Sequence, residues 1–166
     1  TEADALGVIG AYRAGRTGHI VITAAEHPAV AANAEAVAAP LWRLPVDQIG
    51  RVDPAVVAAA PRDIAVAALI MVQNEIGTIQ PVADLVARLR AHAPDAHIHI
   101  DAAQAVGKVE VNVVALGADS VAIAGHKFHA PKGCGALWIR HGARMAPLWR
   151  GGGHQAGLRA GTEDPG

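Results

Sequence analysis

DSVAIAGHKFHAPKG, residues 119–133, runs from a short apolar segment directly into a polar loop carrying His126 and Lys127. An apolar run of this length, bounded by glycine and proline, reads as a buried strand. A lone loop lysine is ordinarily a solvated side chain, so its meaning depends on what other segments deliver to the same place. Similar runs recur at HIVIT (19–23), IAVAALIMV (64–72), HIHI (97–100) and GALWIR (135–140). Between them, residues 2–14, 28–39, 54–60 and 81–92 are helix candidates. Pro28, Pro54 and Pro81 each fall at a predicted first turn, where the missing N–H costs nothing. This alternation predicts an α/β domain of three layers, α/β/α, with a mainly parallel sheet covered on both faces. GALWIR follows its predecessor without a helix and is expected to run antiparallel.

The chain has 166 residues, enough for one sizeable core and too few for two comfortable ones. No linker, repeat or low-complexity segment divides it. Lys plus Arg number 14 against 15 Asp plus Glu, a balance with no electrostatic footprint for nucleic acid or an anionic membrane. The longest apolar run, 64–72, is about half of what a membrane-spanning helix needs. A single cysteine, Cys134, excludes an internal disulfide framework and fits a reducing, cytoplasmic compartment. The opening TEADAL has no Met and no signal-peptide layout, so the chain is expected to be a section of a longer protein. Aromatic residues make up only 3%, so the core must be built from small aliphatics. That composition suits helices packed closely on a parallel sheet.

In an open parallel sheet, ligands gather at the carboxyl ends of the strands, where loops diverge and helix N-termini point inward. HIVIT is followed by His27, IAVAALIMV by Asn74, HIHI by Asp101 and Gln104, and SVAIA by His126 and Lys127. Each alone has an ordinary explanation as a cap, a turn or a surface residue. Together, a lysine, an acid, an imidazole and two amides at one edge match the needs of pyridoxal 5'-phosphate. A primary amine condenses reversibly with its aldehyde, the role open to Lys127. An acid keeps its pyridine nitrogen protonated, the role open to Asp101. Such a contact near 4 Å is worth roughly 4 kcal/mol at an effective dielectric of about 20, at most about three pKa units. The phosphate requires donors of the kind found at a helix N-terminus, and Thr1 and His126 are candidates.

The stretches TEAD, EHPAV, LPVDQIGRVDP, NEIGTIQPV, HIDAAQAVGKVEVNV, DSVAIAGHKFHAPKGCGAL and GGGHQAGLRAGTE resemble, in order and over nearly the whole chain, the cysteine desulfurases of aminotransferase class V. The resemblance implies the large domain of the PLP-dependent transferase (aspartate aminotransferase-like) fold over residues 1–166, incomplete because the small domain is absent. It implies that Lys127 holds the cofactor, Asp101 pairs with the pyridine nitrogen and His27 stacks on the ring. Asn74 and Gln104 would contact the ring hydroxyl, and Thr1 and His126 the phosphate. Thr162 would reach the phosphate of a neighbouring subunit, which implies a homodimer. The implied reaction takes L-cysteine to L-alanine, leaving persulfide sulfur for an acceptor protein and for iron–sulfur cluster and thio-cofactor synthesis.

Some positions depart from the family pattern. Ala124 stands where a phosphate-binding serine is frequent, and Gln73 and Ala5 replace usual asparagines. The family's catalytic cysteine lies beyond the GTE segment, so this section is expected to bind cofactor without completing turnover. Cys134 is read instead as a small buried thiol. The glycine-rich GLRAGTEDPG is expected to be mobile unless a partner subunit orders it. Selenocysteine lyase, another class V aminotransferase and a non-catalytic remnant remain alternatives. A metal-dependent hydrolase is a further one, because period-two alternation puts His97, His99 and Asp101 on one strand face, with His126 and His154 to complete a cluster. Ala102 stands where that pattern wants a histidine, and a structural role for His97 is the expectation. A P-loop is excluded by spacing and by the lack of Ser or Thr after Lys127.

Overall fold

A computed structural model describes residues 1–163; Asp164, Pro165 and Gly166, the end of the GLRAGTEDPG stretch, lie outside the described residues. Six strands form one sheet: β1 (His19–Thr23), β2 (Leu41–Leu44), β3 (Ile64–Ile70), β4 (His97–Asp101), β5 (Ser120–Ala124) and β6 (Gly135–Ile139). Their order is β2-β1-β3-β4-β5-β6, all neighbours being parallel except β5 and β6. The antiparallel placement of GALWIR is therefore as expected. All seven residues of β3 are buried, as a central strand covered on both faces requires.

One face carries α4 (Val82–His92) and a 3₁₀ segment, Pro54–Ala59. Val82, Leu85, Val86 and Leu89 of α4 pack there with Val21, Leu69, Ile98 and Ile100. The opposite face carries α3 (Pro28–Ala36) and a helical rod formed by α1 (Glu2–Ala5), a π-helical stretch Leu6–Gly10 and α2 (Ala11–Arg13). Val8, Ala11, Val30 and Ala34 meet Ile20, Ile22, Val66 and Ala68 there. Burying each branched aliphatic contributes roughly 1.5–3 kcal/mol, and alternate residues of one strand serve the two faces.

Several boundaries differ from the sequence reading. The helix expected over 2–14 contains the π-helical stretch, 28–39 ends at Ala36, and 54–60 is a 3₁₀ segment. Strand β3 stops at Ile70, and Val72 instead bridges Ile79 across the following loop. Strand β2 was not expected. It has four residues between Pro40 and Pro45, and its edge position leaves Trp42 and Arg43 exposed, which erases the apolar signal.

His97 and His99 project from β4 toward the helical rod and are fully buried. Ser120 Oγ lies 2.8 Å from His97 Nε2 and 2.9 Å from His99 Nδ1. A hydroxyl has one proton and two lone pairs, so it donates to one ring and accepts from the other. His99 Nε2 in turn meets Asp4 Oδ1 at 3.4 Å, fixing the first turn of the rod over β4. Gly7 is what lets the rod come this close, since a Cβ there would lie 2.2 Å from His99 Nδ1. At the amino end of β5, Asp119 accepts from Ile98 N–H at 2.8 Å and from Arg90 and Arg140. Burial pushes this carboxyl up, but the Ile98 N–H and Arg90 outweigh it and hold the group below the usual carboxylate range.

Gly7→Ala tests the seating of the rod. Helix propensity favours alanine by up to about 1 kcal/mol, whereas overpacking costs about 1–3 kcal/mol. With the buried His99 ring in the way, the variant should unfold at lower denaturant concentration than the parent. An equal or higher midpoint would contradict the contact.

Candidate active site at the carboxyl edge of the sheet

The parallel register brings the carboxyl ends of four strands together. Ile22 pairs with Ala68, Ile70 with Asp101, and Asp101 with Ala122. Backbone bonds continue past the strand ends, with Met71 N–H on Asp101 O at 2.8 Å and Ala102 N–H on Ala122 O at 2.9 Å. The loops bearing His27, Asn74, Gln104 and Lys127 therefore all leave from the same edge.

Asp101 closes β4 and is 4% exposed, and its Oδ1 accepts from Ala103 N–H at 2.9 Å. Burial pushes its carboxyl up and the nearby Asp4 charge pushes it further, against the Ala103 N–H and the closeness of His99 and His27. Burial also pushes Asp4 up, but the hydrogen bond and charge of His99, helped by the Thr1 amino group, bring it below its ordinary value. His27 is the N-cap of α3, where its Nδ1 accepts from Ala29 N–H at 3.0 Å. An accepting Nδ1 puts the ring proton on Nε2, which faces away from the helix start. The structure thus brings Asp101 and His27 into one electrostatic neighbourhood.

Glu26 was not singled out by the sequence reading, although the residue lies immediately before His27. Its Oε1 accepts from Thr23 Oγ1 and from Ile70 N–H, both at 2.7 Å, tying the ends of β1 and β3 together. Its Oε2 is buried and has no hydrogen-bond partner among the described residues. Burial pushes this carboxyl up to about 8, with the Asp101 charge adding to burial and the Thr23 and Ile70 donors opposing it. The available signal was an acidic residue between a strand end and a helix cap. Its partner across the sheet is 44 residues away and was not visible in that signal.

The remaining candidates are on the rim. Thr1 precedes α1 with an exposed side chain that caps nothing, and Asn74 is exposed in the loop after β3. Gln104 Oε1 accepts from Lys108 Nζ. His126 and Lys127 are exposed on a 3₁₀ turn, Gly125–Phe128, that leaves β5 directly. Thr162 is exposed in the C-terminal stretch.

Two expectations need revision or closure. Cys134 is exposed, not buried: it lies in the turn entering β6, and its carbonyl, not its thiol, is engaged, accepting from Gly125 N–H at 2.9 Å. The expected structural role of His97 holds, and the metal-cluster alternative finds no support, because His97 Nε2 and both nitrogens of His99 are engaged by Ser120 and Asp4 while His126 and His154 are exposed. Among the described residues no three His, Cys, Asp or Glu side chains are grouped to hold a metal ion. Likewise, among the described residues no helix is long and apolar enough to cross a membrane.

A buried acid at a strand end, an imidazole beside it and a lysine on the next strand's exit turn, on a mainly parallel three-layer sheet, define a class of chain. The Aminotransferase class-V family model matches residues 1–163, and the chain belongs to that family. It is 44% identical over 150 residues to a cysteine desulfurase of Rhodobacter capsulatus, covering 87% of this chain and 38% of that protein. A solved NifS-like protein superposes with a TM-score of 0.90 at 30% identity, covering 98% of this chain and 47% of its own. The solved SspA in complex with cysteine gives 0.84 at 29% identity, covering 98% and 49%. The chain thus spans less than half the length of these relatives.

The titrations of Glu26 and His97 give a pH signature. Burial pushes the His97 ring down to about 3, so the unfolded chain binds the extra proton and stability falls as pH drops below 6.5. For Glu26 the folded state keeps the extra proton, so stability falls as pH rises from 4.5 toward about 8. The two oppose each other up to 6.5, and above it only Glu26 of the pair acts. Thermal midpoints should therefore decline between about pH 6.5 and 8 in the parent and decline less steeply in Glu26→Gln. A decline of equal slope in both would contradict the assignment.

Proposed function

We propose that residues 1–166 are the cofactor-binding large-domain section of a pyridoxal-phosphate-dependent cysteine desulfurase. The observation that carries this reading is the convergence of His27 after β1, Asp101 at the end of β4 and the Lys127 turn after β5 on one edge of the sheet. The family membership, the desulfurase name of the relative and the cysteine bound to SspA support it.

The residues present fit the cofactor. Asp101 is enclosed, and among the groups that shift it only the imidazoles of His99 and His27, with no lysine or arginine, bring positive charge near it, which suits a carboxylate reserved for a protonated ring nitrogen. The orphaned Glu26 Oε2 beside it shows an edge whose polar groups are incompletely satisfied by the chain itself. Pyridoxal phosphate, when bound, supplies an electron sink that stabilises negative charge on the amino-acid substrate. Lys127 would hold it covalently through Nζ, and the exposed exit turn leaves that amine accessible. Asp101 would keep the ring nitrogen protonated, and His27 would lie on the ring face with Nε2–H available to a substrate atom. Asn74 and Gln104 would meet the ring hydroxyl, and Thr1 and His126 the phosphate. Ala124 removes one customary phosphate donor, so Thr1 and His126 carry more of that anchoring.

For the whole protein, the proposed reaction converts L-cysteine to L-alanine and passes the sulfur, through a cysteine other than Cys134, to an acceptor protein. Supply of sulfur for iron–sulfur clusters is the corresponding role. Completing the proposal are a homodimer, in which Thr162 reaches the phosphate of the neighbouring subunit, and a cytoplasmic location, in keeping with a single thiol.

Mixing the purified chain with pyridoxal phosphate should give a visible absorbance band that borohydride fixes to the protein. Lys127→Ala should lose both the band and the covalent mass. A band of equal intensity and equal covalent capture in the variant would defeat the lysine assignment.

A further inference from the structure

Among the described residues, Glu26 carries a buried carboxyl at this edge for which no role has been assigned, and its two oxygens are treated unequally. Oε1 takes the Thr23 hydroxyl at 2.7 Å, the Ile70 N–H at 2.7 Å and the Thr23 N–H at 3.4 Å. Oε2 takes nothing, although it is enclosed. An ionised carboxylate spreads its charge over both oxygens and needs donors at each, so a buried, donorless oxygen is costly for it. In a carboxylic acid the carbonyl oxygen, here Oε1, accepts, and the hydroxyl oxygen carries no charge; its O–H finds no acceptor among the described residues, a smaller penalty than a buried, donorless charge. The charged group facing Glu26 is Asp101 of β4, and around Asp101 stand Asp4 of α1, His99 of β4 and His27 at the start of α3. From β1 and β3 only the Thr23 and Ile70 donors reach it.

We propose that Glu26 is a positioning residue for the cofactor's ring nitrogen: it keeps its proton on Oε2 while Asp101 beside it is ionised, so the pair presents one negative charge to the ring. This rests on the reading that Asp101 faces that nitrogen. Two ionised carboxylates would overdraw the proton toward the ring and repel each other, and a neutral Glu26 prevents both. The burial that raises its proton affinity supports the same assignment. Its ties to Thr23 and Ile70 also fix the end of β1, which leads to His27, to the end of β3, whose Ile70 pairs with Asp101.

Infrared difference spectra of the cofactor-free chain test this directly. At neutral pH the parent should show a protonated-carboxyl C=O band that is absent from Glu26→Gln and disappears with a midpoint near 8. In Asp101→Asn the midpoint should shift downward, because the neighbouring charge is gone. No Glu26 band at neutral pH, or the same midpoint in Asp101→Asn as in the parent, would overturn the proposal. With pyridoxal phosphate added, Glu26→Gln should still bind it, and its visible band should lose the pH-dependent change that the parent shows across that midpoint. Tight binding that survives Asp101→Asn unchanged would instead sink the ring-nitrogen reading, a failure separable from the infrared result.

Discussion

The in-register parallel pairing of β1, β3, β4 and β5 is the constraint on which the rest depends. Side chains alternate with a period of two, so a one-residue slip of β4 would exchange Ile98 and Ile100 with His97, His99 and Asp101. The slipped strand would bury imidazoles against Leu85 and Leu89 and turn Asp101 away from His27. Ser120 and Asp4 oppose this slip, because they engage His97 Nε2 and both nitrogens of His99 only on the face where the helical rod lies. The same contacts place α1 so that its first turn stands over the end of β4.

The two ends of the sheet treat charge in opposite ways. At the amino end, Asp119 is enclosed by Arg90, Arg140 and the Ile98 N–H, and it is held ionised. At the carboxyl end, Asp101 and Glu26 are both enclosed without a lysine or arginine among their partners, and burial raises both. A compensated cluster is a structural staple. An uncompensated pair at a strand edge, where neighbouring loops diverge, is the arrangement expected of a site awaiting a cationic group such as a pyridinium.

Much of this was legible in the chain. Central strands announce themselves as continuous apolar runs because both faces are covered, which made β1, β3, β4 and β5 plain and placed Asp101 and Lys127 on one edge. Edge strand β2 escaped because Trp42 and Arg43 face solvent and prolines bracket it. The π-helical stretch contains Gly7 and Gly10, which approach His99 and Ala146 closely, contacts far apart in sequence. Glu26 escaped for the same reason, since its defining partner is a backbone N–H of another strand. Cys134 was misjudged because small residues around a thiol suggest burial, whereas here they form an exposed turn.

A crystal structure of the full-length protein with pyridoxal phosphate would show whether Asp101 and Lys127 share one bound cofactor. The account requires one cofactor joined to Lys127 Nζ, with its ring nitrogen within hydrogen-bond distance of the Asp101 carboxylate. A cofactor bound with its nitrogen turned away from Asp101, or seated off this edge of the sheet, would contradict it.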